Sequence, residues 1–128
     1  MKKKLDSREV FLVELQEIAE NYSKIRDYLR NPESTGLDDE KINALKQCGF
    51  TDESLNAIES IVRERMSEAF FEMVGLLDGI GDPKVVKGDS TWLGLRLKEP
   101  KEDDDAQYLN EQFYESYDNW LELKKENL

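Results

Sequence analysis

The chain has 128 residues, 38% of them hydrophobic and 37% charged, and a net charge of −11. That length is enough for one core without disulfides or metal staples, and the charge surplus suits long amphipathic helices with charged outer faces. Histidine is absent and cysteine occurs once, which removes the commonest general base, the commonest metal ligand and any internal disulfide. The acidic balance disfavours nucleic acid, and no apolar run approaches the roughly 18 residues of a membrane span.

Four helices are expected, at about 6–30, 38–48, 51–78 and 103–126. The first opens on Asp6 and Glu9 in a capping-box pattern, flanked by Leu5 and Val10 as a hydrophobic staple. Phe11, Leu15, Ile18, Tyr22, Ile25 and Leu29 then step by four and three, which predicts one apolar face as far as the loop Asn31–Gly36. The basic start "MKKKLDSREVFLVEL" has acids where a signal peptide needs an apolar stretch, so no export signal is read and a cytoplasmic protein, of bacterial type, is expected. The lone Cys48 agrees with a reducing compartment.

The second and third helices begin with one device, "LDDEKINAL" at 37–45 and "FTDESLNAI" at 50–58. In each an apolar residue precedes the cap, acids fill the first turn and oppose the macrodipole, and an apolar residue sits at the staple position. Gly49 reads as the left-handed stop of the second helix, and Cys48 beside it as a small buried hydrophobe. The third helix carries the stripe Leu55, Ile58, Val62, Met66, Ala69, Phe70, Met73, Val74 and Leu77; Ile61, Phe71 and Leu76 fall outside it, which predicts neighbours on more than one side. Gly79 is its expected stop, with Asp82-Pro83 beyond.

"GLLDGIGDPKVVKGDSTWLGLRL" at 75–97 is not helical in pattern and holds five of the seven glycines. Its glycines follow a helix instead of preceding one, as a phosphate loop would require, and "DGIGD" is too short for an EF-hand. A small β-hairpin over about 84–98 fits better, with "KVV" and "STWLGLRL" as strands and Gly88 at the turn. Alternation puts Thr91, Leu93, Leu95 and Leu97 on one face, expected to lie on a helix, and Trp92, Gly94 and Arg96 on the other. Trp92 and Arg96 then form a recognition spot, or Trp92 packs on its own helix while Arg96 pairs with an acid of the fourth.

Residues 83–101 carry five bases and two acids, whereas 102–128 carry nine acids and two bases. Asp103–Asp105 supply an anionic start for the fourth helix, and Leu109, Phe113, Tyr117 and Trp120, with Tyr114 and Leu121 alongside, its apolar stripe. The expected fold is thus mainly α, a single domain over 1–128 forming an antiparallel bundle of about four helices, with one small β-hairpin between helices three and four.

Glutamates recur at Glu14, Glu17 and Glu20, at Glu64, Glu68 and Glu72, and at Glu111, Glu115, Asp118 and Glu122. Inward-facing rows of this kind can hold magnesium for phosphoryl chemistry. "ELQE" at 14–17 and "ESYD" at 115–118 distantly resemble the ExxE and ExxD of the all-alpha nucleotide pyrophosphohydrolases. Those motifs lie on consecutive core helices in that family, but on the first and last helices here, with no basic clamp for a phosphate. "LKQCGFTDESLNAI" looks like the turn of ubiquitin-associated domains, although the helix after it is too long. Small acidic helical chains also resemble, in type and without a shared motif, the immunity proteins that neutralise basic nuclease toxins. The expectation is a non-enzymatic binding or adaptor protein without cofactor or metal. Its partner has a basic surface, met by Trp92, Arg96, Glu111, Glu115, Asp118 and Glu122; the alternative is a carboxylate–magnesium phosphohydrolase. A homodimer burying the aromatic face of the fourth helix is a third, structural possibility.

Overall fold

A computed structural model describes residues 4–81, 83, 91–101 and 109–126. The chain is mainly helical: α1 is Ser7–Ser23, α2 Arg26–Arg30, α3 Asp39–Lys46, α4 Asp52–Leu77 and α5 Leu109–Lys125, with a 3-10 turn at Pro32–Thr35. It divides into two compact units, Met1–Met73 and Val74–Leu128, and α4 contributes to both. Among the described residues no helix is long and apolar enough to cross a membrane.

In the first unit the helix starts are where the capping residues place them. The Glu9 amide donates to Asp6 Oδ1 at 2.8 Å and the Asp6 amide to Glu9 Oε2 at 3.0 Å, closing the capping box. Asp38 caps α3 by accepting from the Lys41 amide at 3.0 Å. At α4 the Ser54 amide donates to Thr51 Oγ1 at 3.0 Å, and Ser54 Oγ accepts from the Thr51 amide at 2.8 Å. Each side chain meets a backbone donor that the first turn of a helix leaves unpaired.

The first helix is shorter than its apolar stripe predicts. It stops at Ser23, whose hydroxyl donates to the Glu20 carbonyl at 2.8 Å, and the Ile25 amide turns back to the Ser23 carbonyl at 2.9 Å. Chain direction resets there, and Arg26 starts α2 with its amide on Glu59 Oε2 at 3.2 Å. The break therefore exchanges continuing helix bonds for an anchor on α4. The buried side of α1 is that of Ala19 and Ser23, while Phe11, Ile18 and Tyr22 of the expected stripe are exposed.

Leu55, Ala19 and Pro32 are buried in this unit. Burial of a leucine such as Leu55 contributes roughly 1.5–3 kcal/mol. Ile58, Val62, Met66 and Phe70 are half-buried along the expected α4 stripe, whereas Ile61 and Phe71 lie in solvent. Two expectations near residue 48 are corrected. Helix α3 ends at Lys46, with the Gln47 amide on the Asn43 carbonyl, and Gly49 is not among the left-handed glycines. Cys48, past the end of the helix, is exposed and not buried, its thiol 3.4 Å from the Ala44 carbonyl.

The second unit contains the end of α4, the segment 91–101 and α5. The expected hairpin is not supported: among the described residues, 91–101 make no strand, and "KVV" and Gly88 lie outside them. The Leu95 amide, which a hairpin would turn to a facing strand, instead donates to the Leu77 carbonyl at 2.9 Å. Gly94, at φ +85°, breaks the extended run. Asp103–Asp105 also lie outside the described residues.

Candidate functional site

The end of α4 is closed twice. Locally, the Gly79 amide donates to the Leu76 carbonyl at 3.1 Å and the Ile80 amide to the Gly75 carbonyl at 2.8 Å, with Gly79 at φ +76°. This pair of bonds around a left-handed glycine is a Schellman arrangement, at the glycine that the sequence predicts as the helix stop. From further along the chain, Trp92 Nε1 donates to the Leu76 carbonyl at 2.8 Å and the Leu95 amide to the Leu77 carbonyl. Segment 91–97 thus supplies a donor to the Leu77 carbonyl, which the local motif leaves open, and a second donor to the Leu76 carbonyl.

Close approach explains the glycine between them. A β-carbon on Gly94 would meet the Leu77 carbonyl oxygen and lie 2.6 Å from the Gly79 nitrogen, and one on Gly79 would lie 2.7 Å from the Leu93 oxygen. Over 91–95 the alternation read from the sequence holds, but with the faces exchanged. Trp92 and Gly94 are half-buried against the helix end, while Leu93, Leu95 and Leu97 are exposed. Trp92 takes the packed role on its own helix. Arg96 is exposed and, among the described residues, pairs with no acid.

Helix α5 carries the other four expected contact residues. At about 100° per residue, Glu111, Glu115, Asp118 and Glu122 fall within a sector of roughly 60°. All four are exposed, and among the described residues none is paired with a base. Leu109, Phe113, Tyr114, Tyr117, Trp120 and Leu121 occupy a sector of roughly 140° on the opposite side. They too are exposed, from 37% at Leu121 to 83% at Tyr114, and Leu123 is the one described residue of α5 that is not. The rings order one another: Tyr117 and Trp120 lie 5.5 Å apart, Phe113 and Tyr114 meet edge to face at 5.9 Å, and Lys124 Nζ sits 4.6 Å over Trp120.

In the first unit an ionic clamp joins α2 to α4. Arg26 Nη2 and Nε donate to Glu59 Oε1 at 2.6 and 3.0 Å, Nη2 also reaches Asn56 Oδ1 at 2.7 Å, and Arg30 reaches Asp52 at 2.6 Å. The guanidinium bonds hold the Glu59 carboxyl below the usual carboxylate range and, in return, raise Arg26. Glu33 is lowered by Lys46, and Asp38 by the Lys41 amide that it caps. Among the described residues no three carboxylates or thiols gather into a metal-holding group, so the rows on α1 and α4 do not converge. Arg63 holds Glu20 of the α1 row at 2.5 Å. A shallow open pocket of about 520 Å³ lies beside Gln16, Ser67, Glu68, Phe71 and Glu72.

Sequence reasoning did not foresee the Arg26 clamp or the use of Trp92 as a helix cap. Both join residues far apart in the chain, and any of several acids or carbonyls could have been the partner. Comparisons with protein families, with curated proteins and with solved structures find no match to this chain.

Proposed function

We propose that the chain is a non-enzymatic binding protein whose acidic sector on α5 meets a basic surface on another protein. One observation carries this reading: Glu111, Glu115, Asp118 and Glu122 share one narrow, exposed sector, set apart from the aromatic side of the same helix. Aligned unpaired carboxylates set up a local negative field that steers a basic partner during encounter and contributes more to association rate than to bound-state affinity. Arg96 is exposed on the basic segment and remains available to a partner, whereas Trp92 serves the helix end.

The test is a capture from native cell extract with the wild-type chain and an E115K/D118K chain as parallel baits, followed by association kinetics on the retained protein. The charge reversal is expected to slow association by about tenfold at low salt and to flatten its salt dependence. Equal capture with unchanged kinetics would overturn the proposal.

A further inference from the structure

The sequence supplies no breaker for the gap between α1 and α2. Ser7–Arg30 contains neither glycine nor proline, the residues that ordinarily end or kink a helix. The stripe Phe11, Leu15, Ile18, Tyr22, Ile25 and Leu29 keeps helical spacing straight through the gap.

Backbone angles confine the break almost to one residue. Lys24 stands at φ −78° and ψ +76°, and the Ile25 amide donates to the Ser23 carbonyl at 2.9 Å, which makes an inverse γ-turn. Ile25, at φ −105° and ψ 5°, already lies in the bridge region beside the helical one. A rotation of roughly 120° about ψ of Lys24, with a smaller relaxation at Ile25, converts the broken form into a continuous helix. Lys24 is exposed.

Glu59 of α4 supplies what the sequence lacks. In a continuous helix the Arg26 amide donates to the Tyr22 carbonyl, four residues back. Here it donates to Glu59 Oε2 at 3.2 Å, while Arg26 Nη2 and Nε bond to Oε1 of the same carboxylate. One side chain thus replaces a helix bond and adds two charge-assisted bonds to the residue it holds.

We propose that this junction is a conformational switch, with Lys24 as its hinge and Glu59 as its latch. Release of the latch returns the Arg26 amide to Tyr22 and joins α1 and α2 into one helix, Ser7–Arg30. The 3-10 turn and α3 pack on α2, so they move with it, and Arg30 leaves Asp52. The switch lies within the first unit and is independent of the acidic sector on α5. Its rival is a local cause at Ser23, whose hydroxyl bonds back to the Glu20 carbonyl in the manner that bends helices.

Carbon chemical shifts and amide exchange of the full chain separate the two. In E59A the Lys24 α-carbon is expected to move to a helical shift. Exchange at Ile25 is expected to slow by about tenfold or more as its amide takes the Asn21 carbonyl. The Ser54 amide, capped by Thr51, reports that the unit stays folded. S23A, with Glu59 in place, is expected to leave Lys24 in its turn. Should E59A not fold, E59Q decides: it keeps the size of the side chain and loses the charge, and the Lys24 shift is expected to move part of the way. A folded E59A or E59Q chain in which Lys24 keeps its turn overturns the proposal, because the break then has a local origin. An S23A chain that joins the helices while Glu59 keeps its carboxylate overturns it as well.

Discussion

The two ends of α4 are closed by different means. At Thr51 the cap lies within three residues of the donors it satisfies, and the clamp from Arg26 and Arg30 then fastens the first turns from a neighbouring helix. At Leu77 a local glycine motif supplies part of the closure, and the rest comes from Trp92 and Leu95, more than a dozen residues along the chain. Removing a local cap frays one turn of helix, whereas breaking the close backbone approach of a distant segment releases that segment whole. The first end should therefore fail gradually and the second abruptly.

The largest effect is expected at Gly94. Its positive φ and the backbone atoms that a β-carbon would meet leave no room for a side chain. G94V should cost about 3 kcal/mol from left-handed strain and overlap together, enough to lift segment 91–97 off the helix. Amide exchange reads this directly: Leu95 should lose its protection while Ser54, at the other end of α4, keeps its own. Protection retained at Leu95 would show that the distant closure tolerates a side chain and that the contrast between the ends is false.

What was legible in the sequence follows the same division. Asp6, Asp38, Thr51 and Gly79 act on groups within a few residues of themselves, so their spacing alone identifies them. The 91–97 segment shows the limit. Its period-two alternation was readable, but which face would pack depended on the carbonyls at the end of α4, which take the indole N–H of Trp92 and admit the backbone at Gly94. Leucines that read as a core face therefore lie in solvent. The aromatic and acidic sides of α5 were equally readable as two stripes, because both follow from helical spacing; what covers the aromatic stripe is a property of a second surface.

At the clamped end, R26A removes three donor contacts to Glu59 and Asn56 and leaves a carboxylate that is only 14% exposed in its side chain. The melting temperature of the first unit should fall by several degrees at pH 7. The sign of its pH dependence follows from Glu59, whose carboxyl in the folded chain titrates below its ordinary value because Arg26 bonds to it. A lowered acid stabilises the fold above its unfolded pKa of about 4.3, and loses that contribution as pH falls through the folded value. The gap between wild type and R26A should therefore close on acidification below about pH 4. A gap independent of pH would show that the guanidinium acts through packing alone.

The smallest effects come from single donors and acceptors at either end. T51A removes the hydroxyl acceptor for the Ser54 amide and should cost about 1 kcal/mol, seen as faster exchange confined to the first turn of α4. W92F keeps an aromatic ring, smaller than the indole, but loses the donor to the Leu76 carbonyl. That carbonyl still accepts from Gly79, so no acceptor is orphaned and the cost should stay near 0.5–1 kcal/mol. Because Leu95 and Gly94 continue to hold the segment, W92F should raise exchange at Leu95 only slightly, far less than G94V does. If W92F releases Leu95 as fully as G94V, the indole bond is the principal fastening of the segment, and the close backbone approach at Gly94 follows from it.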